Sequence, residues 1–372
     1  MRSGPLSRQL VPLAFAVLST ACFANFDDFH IVGDGDGDSD SDTDADTDTD
    51  ADTDTDADGD WTDNPMDRGT PCDDPHLLVG LSAAGSSIPA RLLRFNLSPD
   101  GPPTYCRETP VMTDQIAFGS DLQEVTALAD GTEIVATAYA VLGLDTEGFP
   151  RWRWQRWEPS SFHDLKVFPI DIGGGSYIGV LHCDDYCSSG LVGPAILDSG
   201  GNEVGYIDTS PLFTWDLAAG APHPTDLSRI VLANEFETPL VFTIDTDTTV
   251  LDDTDGVELA PHFHIGDVGA LQSLETSKQG GRIIAVYLHG IEMWRVGQSV
   301  PTSVMTCDEC EEYHAAAFDP HGEQSAYVVC TRVGESRPSL VRLSEFGCDQ
   351  IVDGSAHANH EIVDVVLVRG AL

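Results

Sequence analysis

Lysine is almost missing from this chain: Lys166 and Lys278 are the only two, and Lys and Arg together number 18 against 62 Asp and Glu. The formal net charge is therefore −44 at pH 7. Such a chain repels nucleic acid and anionic membrane surfaces, because binding to either needs clustered cationic side chains. We expect neither as a partner.

Long apolar runs are also missing. The run Leu10–Leu18 is too short to span a bilayer. It follows two arginines and precedes small residues, which is the pattern of an export signal over residues 1–21. Because Cys22 comes directly after these small residues, the segment resembles a bacterial lipoprotein signal. The resemblance implies that Cys22 is lipidated, and that a lipid anchor is the protein's only contact with the membrane.

The next segment lacks the side chains from which a core is made. After the membrane-proximal residues 22–33, every even position of 34–60 is Asp and every odd one is Gly, Ser, Thr or Ala. Fourteen carboxylates without Lys or Arg cannot bury enough surface to offset the ordering entropy, so 34–60 is predicted to be a disordered linker. A lipidated cysteine with an acidic spacer resembles myxobacterial surface lipoproteins, which implies an outer-membrane or cell-surface location. Ordinary cleavage after Ala21 or Ala24, giving a secreted or periplasmic protein, is the alternative.

Two acidic stretches partly match calcium-binding loops. Asp54–Asp60 has the Asp spacing and sixth-place glycine of an EF-hand loop, but Pro65 stands at the twelfth place, where a bidentate Glu is needed. Asp252–Gly256 is a shorter stretch of the same kind. We expect a solvated linker that attracts Ca²⁺ loosely, with a defined calcium site as the alternative.

The usual catalytic motifs are absent. The chain has no G-x-S-x-G, no H-E-x-x-H and no phosphate-binding loop. This lowers the expectation of an enzyme without excluding one.

Setting Cys22 aside leaves eight cysteines, and an even number in an exported chain predicts disulfides. Their clustering along the chain favours four local pairs. Cys307 and Cys310 also have the C-x-x-C spacing of redox and zinc motifs, but the two acidic residues between them raise thiol pKa values and no second C-x-x-C completes a zinc set. A structural clip is therefore favoured over a redox or metal site. The four predicted pairs are Cys72 with Cys106, Cys183 with Cys187, Cys307 with Cys310, and Cys330 with Cys348.

Residues 61–372 are predicted to form one all-β domain. Runs of five to nine residues are separated by Gly, Asp and Pro, and no helical period persists over three turns. The runs group into units of four strands with a turn between the third and fourth strands, which is typical of propeller blades and resembles WD-repeat and quinoprotein-like propellers. The predicted units are 119–157, 163–207, 223–252, 264–306 and 313–353, with their turns at 145–148, 198–201, 245–248, 296–299 and 344–347.

The two ends of the domain complete each other. Residues 77–109 contain three strands and lack a first one, whereas Glu361–Arg369 is a single strand without a unit. We therefore predict a six-bladed propeller closed by one shared blade, which removes the exposed sheet edge. Seven blades are the alternative if residues 208–222 contain extra strands, and a pair of β-sandwiches is the second.

Histidines recur in phase with the units, each just before a predicted first strand. Because first strands line the channel of a propeller, these imidazoles would converge on the axis and would suit Zn, Mn, Fe or Cu. Structural histidines that hydrogen-bond within their own blade, as in WD-type propellers, are the favoured alternative, and chance is the third. The recurrent histidines are His163, His223, His264, His314 and His360.

One strand concentrates aromatic and cationic side chains. Trp152 and Trp154 share one face of it, and Arg151 and Arg153 share the other. The exposed face could stack a sugar ring or bind an acidic partner. Packing between blades is the simpler interpretation.

Together these features predict a monomeric, exported, lipid-anchored β-propeller that binds an extracellular protein or polysaccharide without catalysis. A metal-dependent lyase or oxidase that uses the axial histidines is one alternative. A purely structural envelope protein is the other.

Overall fold

The computed structural model describes residues of the unit Trp61–Leu372 only. The residues described are 71–83, 88–99, 101–112, 121–155, 165–172, 175–183, 191–206, 217–224, 229–234, 240–244, 251–252, 270–277, 281–295, 298, 301–322, 324–344, 347–357 and 359–369.

These residues form six antiparallel sheets of four strands each. In chain order, the first eleven strands are β1 His76–Ala83, β2 Arg91–Asn96, β3 Thr104–Pro110, β4 Leu122–Ala127, β5 Glu133–Thr137, β6 Val141–Leu144, β7 Pro150–Trp154, β8 Leu165–Ile172, β9 Gly175–Cys183, β10 Leu191–Asp198 and β11 Glu203–Tyr206. The others are β12 Leu217–Pro222, β13 Arg229–Asn234, β14 Leu240–Ile244, β15 Leu251–Asp252, β16 Leu271–Ser277, β17 Arg282–Tyr287, β18 Gly290–Arg295, β19 Ser303–Met305, β20 Cys310–Phe318, β21 Ser325–Arg332, β22 Pro338–Ser344, β23 Gly347–Val352 and β24 His360–Val368. A single 3₁₀ turn, Gly354–Ala356, is the only helical element of the described residues.

The six sheets close into a ring, which confirms the all-β propeller. The inner strand of each sheet contacts the inner strand of the next, in the order β4, β8, β12, β16, β20 and β24, and β24 contacts β4 again. The shared blade is also confirmed, because its strand order is β24-β1-β2-β3. Leu77 pairs with Leu367 and Val79 with Val365, so strands from the two ends of the domain are neighbours.

Where the structure describes their side chains, the middle strands are largely buried because a neighbouring sheet covers each of their faces. In β17, for example, all six residues are buried. The core therefore consists of separate layers between adjacent sheets instead of one central cluster. The layer between the shared blade and the next sheet contains Leu78, Leu92, Val125, Val135, Leu142 and Val366.

Of the five predicted turns, 245–248 lies outside the described residues, and 296–299 and 344–347 lie partly outside them. The turns 145–148 and 198–201 are described in full and lie between the third and fourth strands of their sheets, as expected. These two share a mechanism: Asp145 Oδ1 accepts the backbone N–H groups of Glu147 and Phe149, and Asp198 Oδ1 accepts those of Gly200 and Asn202. Gly148 has φ +86°, and a Cβ there would lie 2.0 Å from the Pro110 carbonyl oxygen. Only glycine fits that position.

The predicted unit 223–252 was placed too late in the sequence. Its inner strand β12, Leu217–Pro222, ends before His223. The described part of 208–222 therefore supplies the first strand of a four-stranded sheet and no additional blade. Gly and Ala make up four of the six residues of β12, so its sequence lacks the β-branched and aromatic residues that mark a strand.

Three disulfides join described residues, and two of them correct the predicted pairing. Cys72 pairs with Cys106 as predicted. Cys307 pairs with Cys348, and Cys310 with Cys330, so the predicted pairs Cys307–Cys310 and Cys330–Cys348 are wrong. The reason is that antiparallel pairing of β20 with β21 brings Cys310 and Cys330 to a Cα separation of 5.8 Å despite a sequence separation of 20. Cys183–Cys187 lies outside the described residues.

Disulfides form and persist in oxidising compartments, so these three bonds place the domain in one. In the described part of the chain, no helix is both long and apolar enough to cross a membrane.

Candidate functional site

The described residues form a concave channel on the ring axis. All six inner strands contribute to its wall, and its open volume, with the mouth included, is about 380 Å³. Most of the lining residues are apolar, but most of the surface that faces the channel belongs to polar atoms. The polar side chains of the wall are Glu124, Thr126, Ser273, Glu275 and Asp364.

Two of the three channel carboxylates hold neighbouring sheets together. An inner strand has no partner on its axial side, so its N–H groups on that side need other acceptors. Asp364 on β24 accepts the Val125 N–H of β4 at 2.8 Å, and Glu124 on β4 accepts the Val167 N–H of β8. Burial raises the pKa of Asp364 to about 6, although the N–H groups of Val125 and Val365, together with Lys166, favour its ionised form.

Glu275 on β16 differs from the other two. Within the part of the chain that the structure describes, its carboxylate has no hydrogen-bond partner. Desolvation, together with the charges of Asp364 and Glu124, raises its pKa to about 8, and Arg369 offsets only part of the effect. Glu275 is therefore mostly protonated at neutral pH and presents a hydrogen-bond donor to the channel.

The channel carboxylates were not predicted, although a sequence signal existed. Asp364 stands between apolar residues of the inner strand β24, Glu124 lies within β4, and Glu275 stands near the end of β16. In a closed propeller, a carboxylate at such a position cannot lie on an exposed face of the sheet. The only residues predicted to face the axis were the recurrent histidines.

Two of the recurrent histidines hydrogen-bond within their own sheets. His314 Nε2 lies 2.8 Å from Thr331 Oγ1 on the adjacent strand β21, and burial lowers the pKa of His314. His360 Nε2 donates to the Pro89 carbonyl at 3.1 Å, just before β2 of its own sheet. His223 is buried directly after β12. His163 and His264 lie outside the described residues.

The positions of these histidines vary more than the sequence suggested. His314 lies within β20, at a bulge, and His360 is the first residue of β24. No group of three His, Cys, Asp or Glu side chains among the described residues is arranged to hold a metal ion. The axial metal site stays a prediction, since two of its five members are not described.

The tryptophans of β7 pack against the next sheet. Trp152 Nε1 donates to the Ser199 carbonyl at 2.8 Å, and Trp154 Nε1 to Glu203 Oε2 at 3.3 Å. A Cβ added at either of two glycines would overlap the Trp152 ring, at 2.3 Å for Gly143 and 2.4 Å for Gly201, so both glycines make room for the indole.

Arg151 and Arg153 point the other way and are exposed. The Arg153 guanidinium bonds to the Gln155 amide oxygen, which is exposed as well. The structure thus joins the four predicted residues on one strand but separates them by face: the indoles belong to the core and the guanidinium groups to the surface.

The remaining predicted sites cannot be placed. Cys22 and the acidic stretch Asp54–Asp60 lie outside the described residues, and so does most of Asp252–Gly256, of which only the β15 residue Asp252 is described.

Comparison with known proteins gives no family. No protein-family model matches the chain, and no curated protein matches it. Among solved structures, it is similar to a protein of unknown function from Bacteroides caccae, with 12% identity, a TM-score of 0.48, and coverage of 80% of this chain and 100% of that one. It is also similar to a luciferin-regenerating enzyme, with 13% identity, a TM-score of 0.45, and coverage of 74% and 97%. Likenesses this weak carry no statement about activity.

Proposed function

We propose that this protein is an exported, lipid-anchored β-propeller that acts outside the cell as a non-catalytic binding module. The lipoprotein-like signal before Cys22 supports the lipid anchor. The acidic linker supports a propeller that is held at a distance from the membrane. The disulfides of the propeller agree with this location, because bonds of this kind persist where the environment is oxidising.

The observation that carries the binding role is the exposed arginine pair of β7. Arg151 and Arg153 project from the fourth, outermost strand of their sheet. Two positions on a strand are about 6.6 Å apart at about 3.3 Å per residue, so both guanidinium groups reach the same ligand. The packed indole of Trp152 on the opposite face fixes the strand, which lowers the entropy lost when a partner binds.

An acidic polysaccharide is the partner class that fits this surface. Guanidinium groups bind carboxylate and sulfate groups through paired, charge-assisted hydrogen bonds. Stacking of a sugar on Trp152 has less support, because its ring already contacts the glycines of two sheets. Since the whole chain is strongly acidic, long-range attraction cannot drive binding, and direct contact with the two arginines has to supply it.

Affinity chromatography of the full chain tests this proposal. The columns carry polygalacturonate, dextran sulfate or neutral dextran, and the variants are Arg151→Ser and Arg153→Ser. Arg295→Ser is the matched control, because Arg295 is an equally exposed arginine on β18 of another sheet. We expect retention on one or both anionic polymers, reduced by each β7 variant and unchanged by the control.

The two anionic columns separate carboxylate from sulfate recognition. Failure of both to retain the protein overturns the polysaccharide proposal and favours a protein partner. Equal retention of the wild type and the β7 variants overturns the assignment of the site to β7.

A further inference from the structure

Two disulfides of the sheet β20–β23 start from a single turn. Cys307 and Cys310 are separated by Asp308 and Glu309, and the Cys310 N–H donates to the Cys307 carbonyl at 2.9 Å. From this turn, Cys307 bonds to Cys348 on the outermost strand β23, and Cys310 bonds to Cys330 on β21. The two cysteines of the C-x-x-C sequence therefore belong to two different disulfides and are not bonded to each other.

The turn also brings the Cα atoms of Cys307 and Cys310 close to the separation that a disulfide between them would need. A hydrogen-bonded turn of four residues keeps its end Cα atoms within about 7 Å. Disulfides usually span Cα distances of about 4.4–6.8 Å. Cys307 and Cys310 are thus poised to pair with each other whenever one existing partner leaves.

Exposure of the four sulfur-bearing residues favours one order of events. Cys307 and Cys330 are buried, at 5% and 0% exposure, whereas Cys310 and Cys348 are half-buried. An external thiolate therefore reaches Cys348 more easily than Cys307. Attack at Cys348 would make Cys307 the leaving thiolate, which is three residues from Cys310.

We propose that this pair of disulfides is a redox-sensitive latch on β23, opened by an extracytoplasmic dithiol. One thiolate of the dithiol attacks the Cys348 sulfur, and the electron pair of the broken bond goes to Cys307. The second thiol of the reductant closes its own disulfide and releases Cys348 as a thiol. The Cys307 thiolate then attacks Cys310, which forms Cys307–Cys310 and expels Cys330.

The exchange is balanced and ends with one protein disulfide instead of two. The dithiol is oxidised to its disulfide, and its two protons end on Cys330 and Cys348. The outer strand β23 then loses its covalent bond to the segment before β20. It keeps its backbone ladder with β22 and the hydrogen bond from Arg332 Nη1 to Gln350 Oε1 at 2.6 Å.

Arg332 keeps the turn in place during the exchange. Its guanidinium binds Glu309 of the turn at 2.5 Å, Glu335 at 3.4 Å, and Gln350 of β23. Opening the latch should therefore loosen β23 without unfolding the sheet, since the other strands keep their ladders and their buried faces.

Disulfide mapping of the oxidised full chain tests the latch. The protein is treated with an equimolar amount of dithiothreitol, quenched with N-ethylmaleimide, and digested without reduction. We expect N-ethylmaleimide on Cys330 and Cys348 together, with Cys307 and Cys310 linked within one peptide. Hydrogen exchange should become faster at 347–352 and stay unchanged in β21.

Labelling of Cys307 together with Cys348 while Cys310–Cys330 stays intact would overturn the proposal, and so would labelling of Cys310 with Cys330 alone. The double variant Cys72→Ser/Cys106→Ser is the control for general loss of disulfides and should still show the exchange. In Cys310→Ser/Cys330→Ser the acceptor bond is missing, so the label should move to Cys307 and Cys348. The wild-type map alone decides the matter if this variant fails to fold.

Discussion

Replacing Glu275 by Gln should stabilise the protein at alkaline pH and leave it nearly unchanged at acid pH. The folded protein raises the pKa of Glu275 from 4.5 to about 8, chiefly through desolvation in the channel and the charges of Asp364 and Glu124. A raised folded-state pKa means that folding opposes ionisation. The resulting loss of stability is absent below pH 4.5, grows as pH rises, and is complete above pH 8.

The size of the effect follows from the width of this window. Each pKa unit corresponds to about 1.4 kcal/mol, so the window from 4.5 to about 8 sets an upper bound of about 5 kcal/mol. The side chain of Glu275 is only half-buried and meets solvent in the channel. We therefore expect roughly 2–3 kcal/mol of additional unfolding free energy for Glu275→Gln at pH 8.5, and under about 1 kcal/mol at pH 5.

Urea unfolding followed by tryptophan fluorescence measures both values. Titrating groups that do not interact with Glu275 cancel when the variant is compared with the wild type at the same pH. The control is Glu361→Gln, an exposed glutamate on the inner strand β24, which should stay within about 0.5 kcal/mol at both pH values. A difference for Glu275→Gln that does not change with pH, or a loss of stability at pH 8.5, would refute the reasoning.

Three further changes test other parts of the structure. Trp152→Ala should lower the unfolding free energy by roughly 3 kcal/mol, because the indole fills the gap between two sheets. A loss of less than about 1 kcal/mol in denaturant unfolding would show that the Trp152 indole lies at the surface. His314→Ala should lower the unfolding free energy by about 1 kcal/mol, because its hydrogen bond to Thr331 is lost. The metal content of protein purified without chelators should stay unchanged. Loss of a stoichiometric transition metal would instead support the axial site. Cys22→Ala should abolish a diacyl or triacyl mass in the membrane fraction, and a wild-type N-terminus at Asn25 without lipid would contradict the anchor.

The architecture could be predicted because its signals are local. Alternating strands and turns with Asp or Gly recur at one period, and each turn satisfies its own backbone, as Asp198 does. The unit near residue 77 lacked a first strand, and the strand at Glu361 had no unit. Joining them completes one blade, so ring closure could be predicted by counting strands. The unit at 217–252 was misplaced because β12 consists largely of Gly and Ala.

The site depends on contacts that the sequence does not display. Cys310 and Cys330 meet because β20 and β21 pair in one particular register, and chain proximity misled the pairing of all four cysteines in that sheet. Asp364 and Val125 are 239 positions apart, and only ring closure makes one the acceptor for the other. The raised pKa of Glu275 likewise arises from three different strands, so no local pattern encodes it.

The propeller requires a closed ring, and a cross-link between strands from the two ends of the domain tests this closure most directly. Ser82 on β1 and Glu361 on β24 are paired in register. Directly opposed residues of antiparallel strands have Cα atoms about 4.5–5.5 Å apart, which is within the range of a disulfide. The oxidised double variant Ser82→Cys/Glu361→Cys should contain a disulfide joining the peptides of β1 and β24 and should unfold cooperatively at higher denaturant than the wild type. Two free thiols at these positions in a folded, monomeric protein would contradict the shared blade and with it the propeller.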